Sequence, residues 1–192
     1  MARELVMSIP NLITFGRLLI VPAAVYFILS RQLGVAFWLF VVAGVSDAID
    51  GAVARMFNAR TVLGAILDPL ADKALLVSVY VTLCVIGTLP LWLVILVVFR
   101  DVMIVGAVLL LHALHEPLTM KPLMISKINT GVQIALAAAA LAPAGFGQPD
   151  VILMEVQLVD VMVWVCAFTT VASGAAYVGR SGRLFNHLGG MT

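Results

Sequence analysis

The sequence predicts an all-α integral membrane protein, a bundle of six transmembrane helices with both termini cytoplasmic. Three observations predict it. Only 11% of the 192 residues are charged and 63% are hydrophobic, with a mean hydropathy of +1.15, whereas a soluble domain carries about 25% charged residues. Apolar runs recur six times, each long enough for the roughly 20 residues that a bilayer-crossing helix needs. Positive charge collects on alternate connections between the runs, the asymmetry that sets orientation in a membrane. The chain reads as one domain, 1–192, with no room for a separate soluble domain, and no nucleic-acid partner is expected.

The first run covers 12–29, behind a head that contains 9-IPN-11. Arg17 interrupts it and it outlasts the apolar segment of a signal peptide, so no cleaved leader is expected. The second covers 34–57 and stops at 58-NAR-60, and the third covers 61–86 and stops at 87-GTLP-90. The fourth covers 91–114, ahead of the polar stretch 115-HEPLTMKP-122. The fifth covers 123–141 and is closed by 142-APAGFGQPD-150; the sixth covers 152–178 and leads into a basic tail. With the N-terminus in the cytoplasm, the inner side receives Arg3, Arg55, Arg60, Lys121, Lys127, Arg180 and Arg183. The outer side receives Arg31, and its last loop carries Asp150 and Glu155. Cys84 and Cys166 lie within apolar runs and read as small buried hydrophobes rather than as a disulfide or metal pair.

Within this apolar chain, 46-SDAIDGAVARMFNARTVLGAILDPLADK-73 places four aspartates. In an antiparallel pair of helices, Asp47 and Asp50 occupy the inner part of the second span, and Asp68 and Asp72 the inner part of the third. At 100° per residue, i,i+3 and i,i+4 partners share a face, so each pair projects as one unit and all four converge at one depth. An ionised aspartate in a span costs about 2.5–3.5 kcal/mol even on the lenient insertion scale. Either most are protonated or cations neutralise them. Carboxylates without His or Cys are hard ligands that suit magnesium, manganese or calcium, and four of them fit a two-cation clamp on a phosphoryl group. Gly51, Ala54 and Gly64 remove bulk beside the acids, and Arg55 offers a bidentate fork for phosphate. Pro69 should interrupt the start of the third helix. Small residues also serve helix packing, the reading preferred for Gly44 and Ala48. An ion pathway, or a structural network with Arg55 and Lys73, remains open at this level.

The pattern Asp47-x2-Asp50-Gly51-x2-Ala54-Arg55-x8-Gly64-x3-Asp68-x3-Asp72 fixes eight identities at set spacings and resembles, without departure, the signature of the CDP-alcohol phosphotransferases. The resemblance implies six transmembrane helices with the site at the cytoplasmic membrane face. It implies that Asp47, Asp50, Asp68 and Asp72 hold two divalent cations, Mg2+ or Mn2+, and that Asp72 is also the catalytic base that takes the acceptor's proton. Gly51, Arg55 and Thr61 match positions that contact the CDP moiety, and Asn11 and Thr14, in 10-PNLIT-14, match a nucleotide-side contact. A homodimer is the family expectation.

Four further segments, 9-IPNLITFGR-17, 99-FRDVMIVGAV-108, 121-KPLMISKINTGVQ-133 and 167-AFTTVAS-173, look like the CMP-forming, eukaryotic-type cardiolipin synthases of mitochondria and some bacteria. That resemblance implies transfer from CDP-diacylglycerol to phosphatidylglycerol in a bacterial or mitochondrial inner membrane. Glycerol-3-phosphate is the alternative acceptor, because phosphatidylglycerolphosphate synthases share the layout. Arg100, about ten residues into a span, needs a polar neighbour. With Asp101 placed elsewhere round the helix, a site aspartate or a substrate phosphate is the expected counter-ion. Lys121 and Lys127 flank the fifth span and read either as positive-inside charge or as an anion pocket for the acceptor's phosphate.

A divalent-cation transporter is the non-enzyme alternative, but transporters commonly show repeated halves; this chain shows none, and Arg55 would repel cations. His112, His115 and His187 read as interfacial, the tryptophans as lipid-facing or packing groups, and Asp160 in the sixth span has no assigned role.

Overall fold

The structure is a computed structural model. It describes residues 16, 18–56, 62–113, 124–142 and 149–189, with backbone alone for 47–56, 62–72, 107–113, 149–156 and 178–189. Six helices make up the described chain, and no strand occurs among the described residues. They are α1 (Leu18–Leu29), α2 (Leu33–Met56), α3 (Val62–Val85), α4 (Leu91–Ala113), α5 (Met124–Leu141) and α6 (Pro149–Gly189). By length and composition alone, Met124–Leu141 and Gln157–Tyr177 qualify as membrane-crossing segments among the described residues.

Helix ends follow the punctuation of the sequence. After α3, Gly87 has a φ of 83°; its N–H bonds the Cys84 carbonyl, and the Thr88 N–H bonds the Leu83 carbonyl, each at 2.9 Å. That paired pattern, with a left-handed residue just past the helix, satisfies carbonyls that would otherwise be orphaned. The α1–α2 turn is built the same way, with bonds from Arg31 to Ile28 (3.0 Å) and from Gln32 to Phe27 (2.9 Å). Here the left-handed position, φ 59°, is taken by Arg31. Pro149 opens α6 as a first helical residue, where its missing N–H costs nothing, so α6 starts before the expected 152. It also continues past 178 to Gly189 and takes Arg180 and Arg183 with it. No proline breaks the basic tail, and 41 residues make a helix about 60 Å long.

The interruption expected at Pro69 is absent: α3 runs unbroken from Val62 to Val85. One missing hydrogen bond in 24 residues is tolerated where neighbouring groups can re-satisfy the freed carbonyl.

Two compact units result. α1, α2, α3, the C-terminal end of α5 and residues 149–156 of α6 form the first; α4, the rest of α5 and α6 from Gln157 form the second. The first has a core of Ala24, Ile28, Ala36, Phe40, Ala43, Leu75, Leu76, Val79, Tyr80 and Leu83, with Ala137 and Ala140 from α5. Alanines at these buried positions let helix backbones approach closely.

The second unit is apolar outside and partly polar inside. Ile95, Phe99, Val102 and Met103 on α4 are exposed, as are Val161, Trp164, Phe168 and Val171 on α6. Arg100, Asp101, Asn129, Thr170 and Ser173 are buried. Water would favour the reverse arrangement; hydrocarbon favours this one. Trp92 and Trp164, both exposed, pack against each other with ring centroids 5.4 Å apart. Trp38 is exposed as well, so all three tryptophans face outward. Cys84 is half-buried and Cys166 is buried.

Candidate active site and a buried polar cluster

The aspartate motif lies on two unbroken helices of the first unit. α2 carries Asp47, Asp50, Gly51 and Arg55, and α3 carries Asp68 and Asp72, with residues 57–61 between them. The helical register connects these positions to the core. Ala36, Phe40 and Ala43 form the buried stripe of α2, and Asp47 and Asp50 follow Ala43 by four and seven residues. On α3, Asp72 and Asp68 precede the buried Leu76 by four and eight residues. Positions so spaced share one helix face. By helical register alone, the motif positions fall in line with the two buried stripes.

The side chains of these four aspartates, of Gly51 and of Arg55 lie outside the described residues, as do Asn11, Thr14, Thr61 and Lys121 altogether. No group of three or more His, Cys, Asp or Glu occurs among the residues whose side chains are described. The donor set itself fits a hard divalent cation: oxygen ligands alone, in pairs at i,i+3 and i,i+4 on continuous helices.

The second unit holds a cluster of a different kind. Arg100 is 5% exposed, and its Nη1 donates to Asp101 Oδ1 at 2.7 Å. Its Nη2 donates to Ser126 Oγ on α5 and Ser173 Oγ on α6, each at 2.6 Å. This corrects the sequence expectation for Arg100. Asp101 does not stand elsewhere round the helix but is itself the counter-ion. Adjacent helical positions diverge by 100°, yet the long, flexible arginine stem lets the guanidinium swing sideways. In a desolvated interior two opposite charges are costly until they meet, so the nearest carboxylate takes the cation.

One turn along the same faces lies Asn129, which is fully buried. Its Oδ1 accepts from Thr169 Oγ1 at 2.8 Å and from Thr170 Oγ1 at 2.9 Å. The Thr169 hydroxyl is shared with the Cys166 carbonyl at 3.1 Å, and Thr130 Oγ1 donates back to the Ser126 carbonyl at 3.1 Å. Lys127, on the same helix, is exposed. Asp160 on α6 is also exposed. The sequence reading gave no role to Ser126, Asn129, Thr169, Thr170 or Ser173. The available signal was polar residues at helical spacing inside apolar spans, Ser126-x2-Asn129 on α5 and Thr169-Thr170-x2-Ser173 on α6.

Comparison with known proteins bears on the first cluster. Residues 7–172 match the family model described as CDP-alcohol phosphatidyltransferase. The chain is 37% identical over 187 residues to a cardiolipin synthase (CMP-forming) of Rattus norvegicus, and 36% identical over 187 residues to that of Homo sapiens. In both cases 88% of this chain and 60% of the relative are covered, so the chain spans about three-fifths of those relatives' length. It is also 30% identical over 190 residues to a CDP-diacylglycerol–glycerol-3-phosphate 3-phosphatidyltransferase of Bacillus subtilis, covering 91% of this chain and 95% of the relative.

Proposed function

Because this chain belongs to the CDP-alcohol phosphatidyltransferase family, we propose that it transfers the phosphatidyl group of CDP-diacylglycerol to a hydroxyl of phosphatidylglycerol, giving cardiolipin and CMP. The eight-identity motif on α2 and α3 carries the reading. Asp47, Asp50, Asp68 and Asp72 would hold two divalent cations, Mg2+ or Mn2+, which supply positive charge to the pyrophosphate when bound. Asp72 accepts the proton of the acceptor hydroxyl. The hydroxyl oxygen forms a bond to the lipid-side phosphorus, and the bond from that phosphorus to the oxygen of CMP breaks. Asn11, Thr14, Gly51, Arg55 and Thr61 hold the CDP moiety, Arg55 through its fork of donors.

The residue pattern also supports a place in the membrane. All six helices cross the bilayer with both termini on the cytoplasmic or matrix side, and the site opens there, in a bacterial or mitochondrial inner membrane. The apolar exterior and polar interior of the second unit favour this. We read 1–192 as one functional domain that acts as a homodimer.

For the acceptor, the relatives at 37% and 36% identity are named cardiolipin synthases, and this favours phosphatidylglycerol. The Bacillus relative at 30% gives the second reading, transfer to glycerol-3-phosphate. In either case Lys121 and Lys127 are the cations available to the acceptor's phosphate, with Arg100, whose charge Asp101 already balances, as a further donor. Purified protein supplied with labelled CDP-diacylglycerol and each acceptor in turn decides between them. Cardiolipin from phosphatidylglycerol is the expected product; phosphatidylglycerolphosphate formed from glycerol-3-phosphate alone overturns the choice.

A further inference from the structure

α6 separates its charges along its length. Its acidic residues, Asp150, Glu155 and Asp160, come first, and its arginines, Arg180 and Arg183, come last. No Asp, Glu, Lys or Arg stands between Asp160 and Arg180, two positions separated by a helical rise of about 30 Å. That is the thickness of bilayer hydrocarbon. The uncharged stretch overlaps the segment that qualifies as membrane-crossing, Gln157–Tyr177. Val161, Trp164, Phe168 and Val171, all within it, are exposed, as a lipid-facing row would be. A bilayer drawn along this stretch meets Arg180 at one edge of its hydrocarbon, and α6 continues beyond that edge to Gly189.

The continuation is two-faced by register. At 100° per residue, Arg180, Arg183 and His187 fall within about 60° of one another, and Leu184, Phe185 and Leu188 occupy the neighbouring 100° or so. By the same count Leu184 and Leu188 fall in line with Cys166, Thr170 and Ser173, which are buried. The basic row falls in line with Leu158 and Val165, which are exposed. No acidic residue follows Asp160 in the sequence, so this end of the helix carries no carboxylate of its own to balance the arginines. Arg183 is a rise of about 4.5 Å beyond Arg180, and the headgroup layer is roughly 5–7 Å thick on each side of a bilayer. Both positions therefore fall within that layer, where an anionic lipid presents its phosphodiester and a guanidinium fork suits phosphate oxygens.

On the reading that α6 crosses the bilayer, and independently of the transfer reaction, we propose that its C-terminal end is a docking surface for anionic phospholipid headgroups, with Arg180 and Arg183 on one helix face as its cations.

Full-length protein in lipid nanodiscs tests it, read by amide hydrogen exchange of residues 178–189. The discs contain phosphatidylcholine alone or with phosphatidylserine, an anionic lipid outside the proposed reaction, so that docking is measured apart from turnover. Each arginine near an anionic surface strengthens attraction about fivefold, so protection should rise up to about thirtyfold in the anionic discs. Molar salt should remove most of the gain. Arg180→Gln with Arg183→Gln should exchange alike in both kinds of disc, with residues 161–177 as protected as in wild type. Equal exchange of the wild-type segment in the two discs overturns the proposal. Lipid-dependent protection that persists in the double variant also overturns it, because the apolar row would then hold the segment. Inorganic phosphate added to neutral discs should protect nothing; protection equal to that of the anionic lipid would mean a site for free phosphate and overturn the lipid assignment. Protein released from its native membrane by alkaline carbonate refutes the bilayer placement of α6 and the docking surface together, whereas retained protein without lipid-dependent protection refutes docking alone.

Discussion

The aspartate helices of the first unit and the polar cluster of the second are both polar insertions into apolar structure, and they were written into the sequence differently. The aspartates fall on two consecutive helices at spacings that declare a shared face, Asp47 with Asp50 and Asp68 with Asp72. The cluster takes one residue or a few from each of three helices: the partners of Arg100 are one, 26 and 73 positions away. A local pattern announces itself by periodicity; a long-range one forms only when the helices pack. The contrast also sorts the chemistry. The aspartates put four carboxyl groups on two helices, and on the proposed reading divalent cations neutralise them. The cluster balances its own charge through the buried Arg100–Asp101 pair.

The largest effect should come from the side of unbalanced charge. If Asp72 is the general base of the proposed reaction, Asp72→Asn lowers turnover roughly 10²–10⁴-fold, the usual contribution of such a group. CDP-diacylglycerol binding should persist, because the other three aspartates and Arg55 remain. Release of labelled CMP measures the first, and equilibrium binding of the labelled lipid the second. Near-normal turnover would remove Asp72 from the mechanism. Chelation of divalent cations should likewise abolish CMP release, with Mg2+ or Mn2+ restoring it. Activity that survives exhaustive chelation would break the comparison, because the aspartates would then be tolerated without cations.

The balanced side should respond by stability rather than by chemistry alone. Arg100→Leu strands Asp101 in the interior and should destabilise the detergent-solubilised protein by about 3–5 kcal/mol. Replacing both, Arg100→Leu with Asp101→Leu, should recover most of that, because removing a buried pair together costs far less than splitting it. Thermal unfolding of the three proteins tests the point. A double variant as unstable as the single one would mean that the hydrogen bonds to Ser126 and Ser173, not charge neutralisation, hold the cluster together.

Much of the fold was legible for the same reason as the aspartates. The apolar runs at 34–57, 61–86, 91–114 and 123–141 differ from α2 to α5 by a residue or so at each end, because Gly, Pro and charged stops are local signals. Three features were not legible. The length of α6 depended on the absence of a breaker in a basic tail, which hydropathy does not register. The continuity of α3 through Pro69 runs against the local rule that proline interrupts a helix, and spacing carries no signal for that tolerance. The partner of Arg100 depended on where a flexible side chain swings, and sequence spacing is silent on that.

The smallest expected effects carry this contrast down to single turns within the first unit. Gly87 and Arg31 do the same work, each holding the left-handed position that ends a helix, with φ of 83° and 59°. Only the first is visible in sequence, because 87-GTLP-90 is a recognisable stop while Arg31 resembles any loop cation. A Cβ at Gly87 would meet nothing within 4 Å, so Gly87→Ala isolates the backbone cost of that conformation and should destabilise by about 1 kcal/mol. Arg31→Gly runs the exchange in the other direction. It should stabilise by less than about 1 kcal/mol, because glycine relieves the left-handed strain but loses more backbone freedom on folding. Melting temperatures of the two variants should therefore move in opposite directions. If they moved together, the two turns would not be equivalent caps, and the arginine would owe its place to an interaction of its side chain rather than to its backbone.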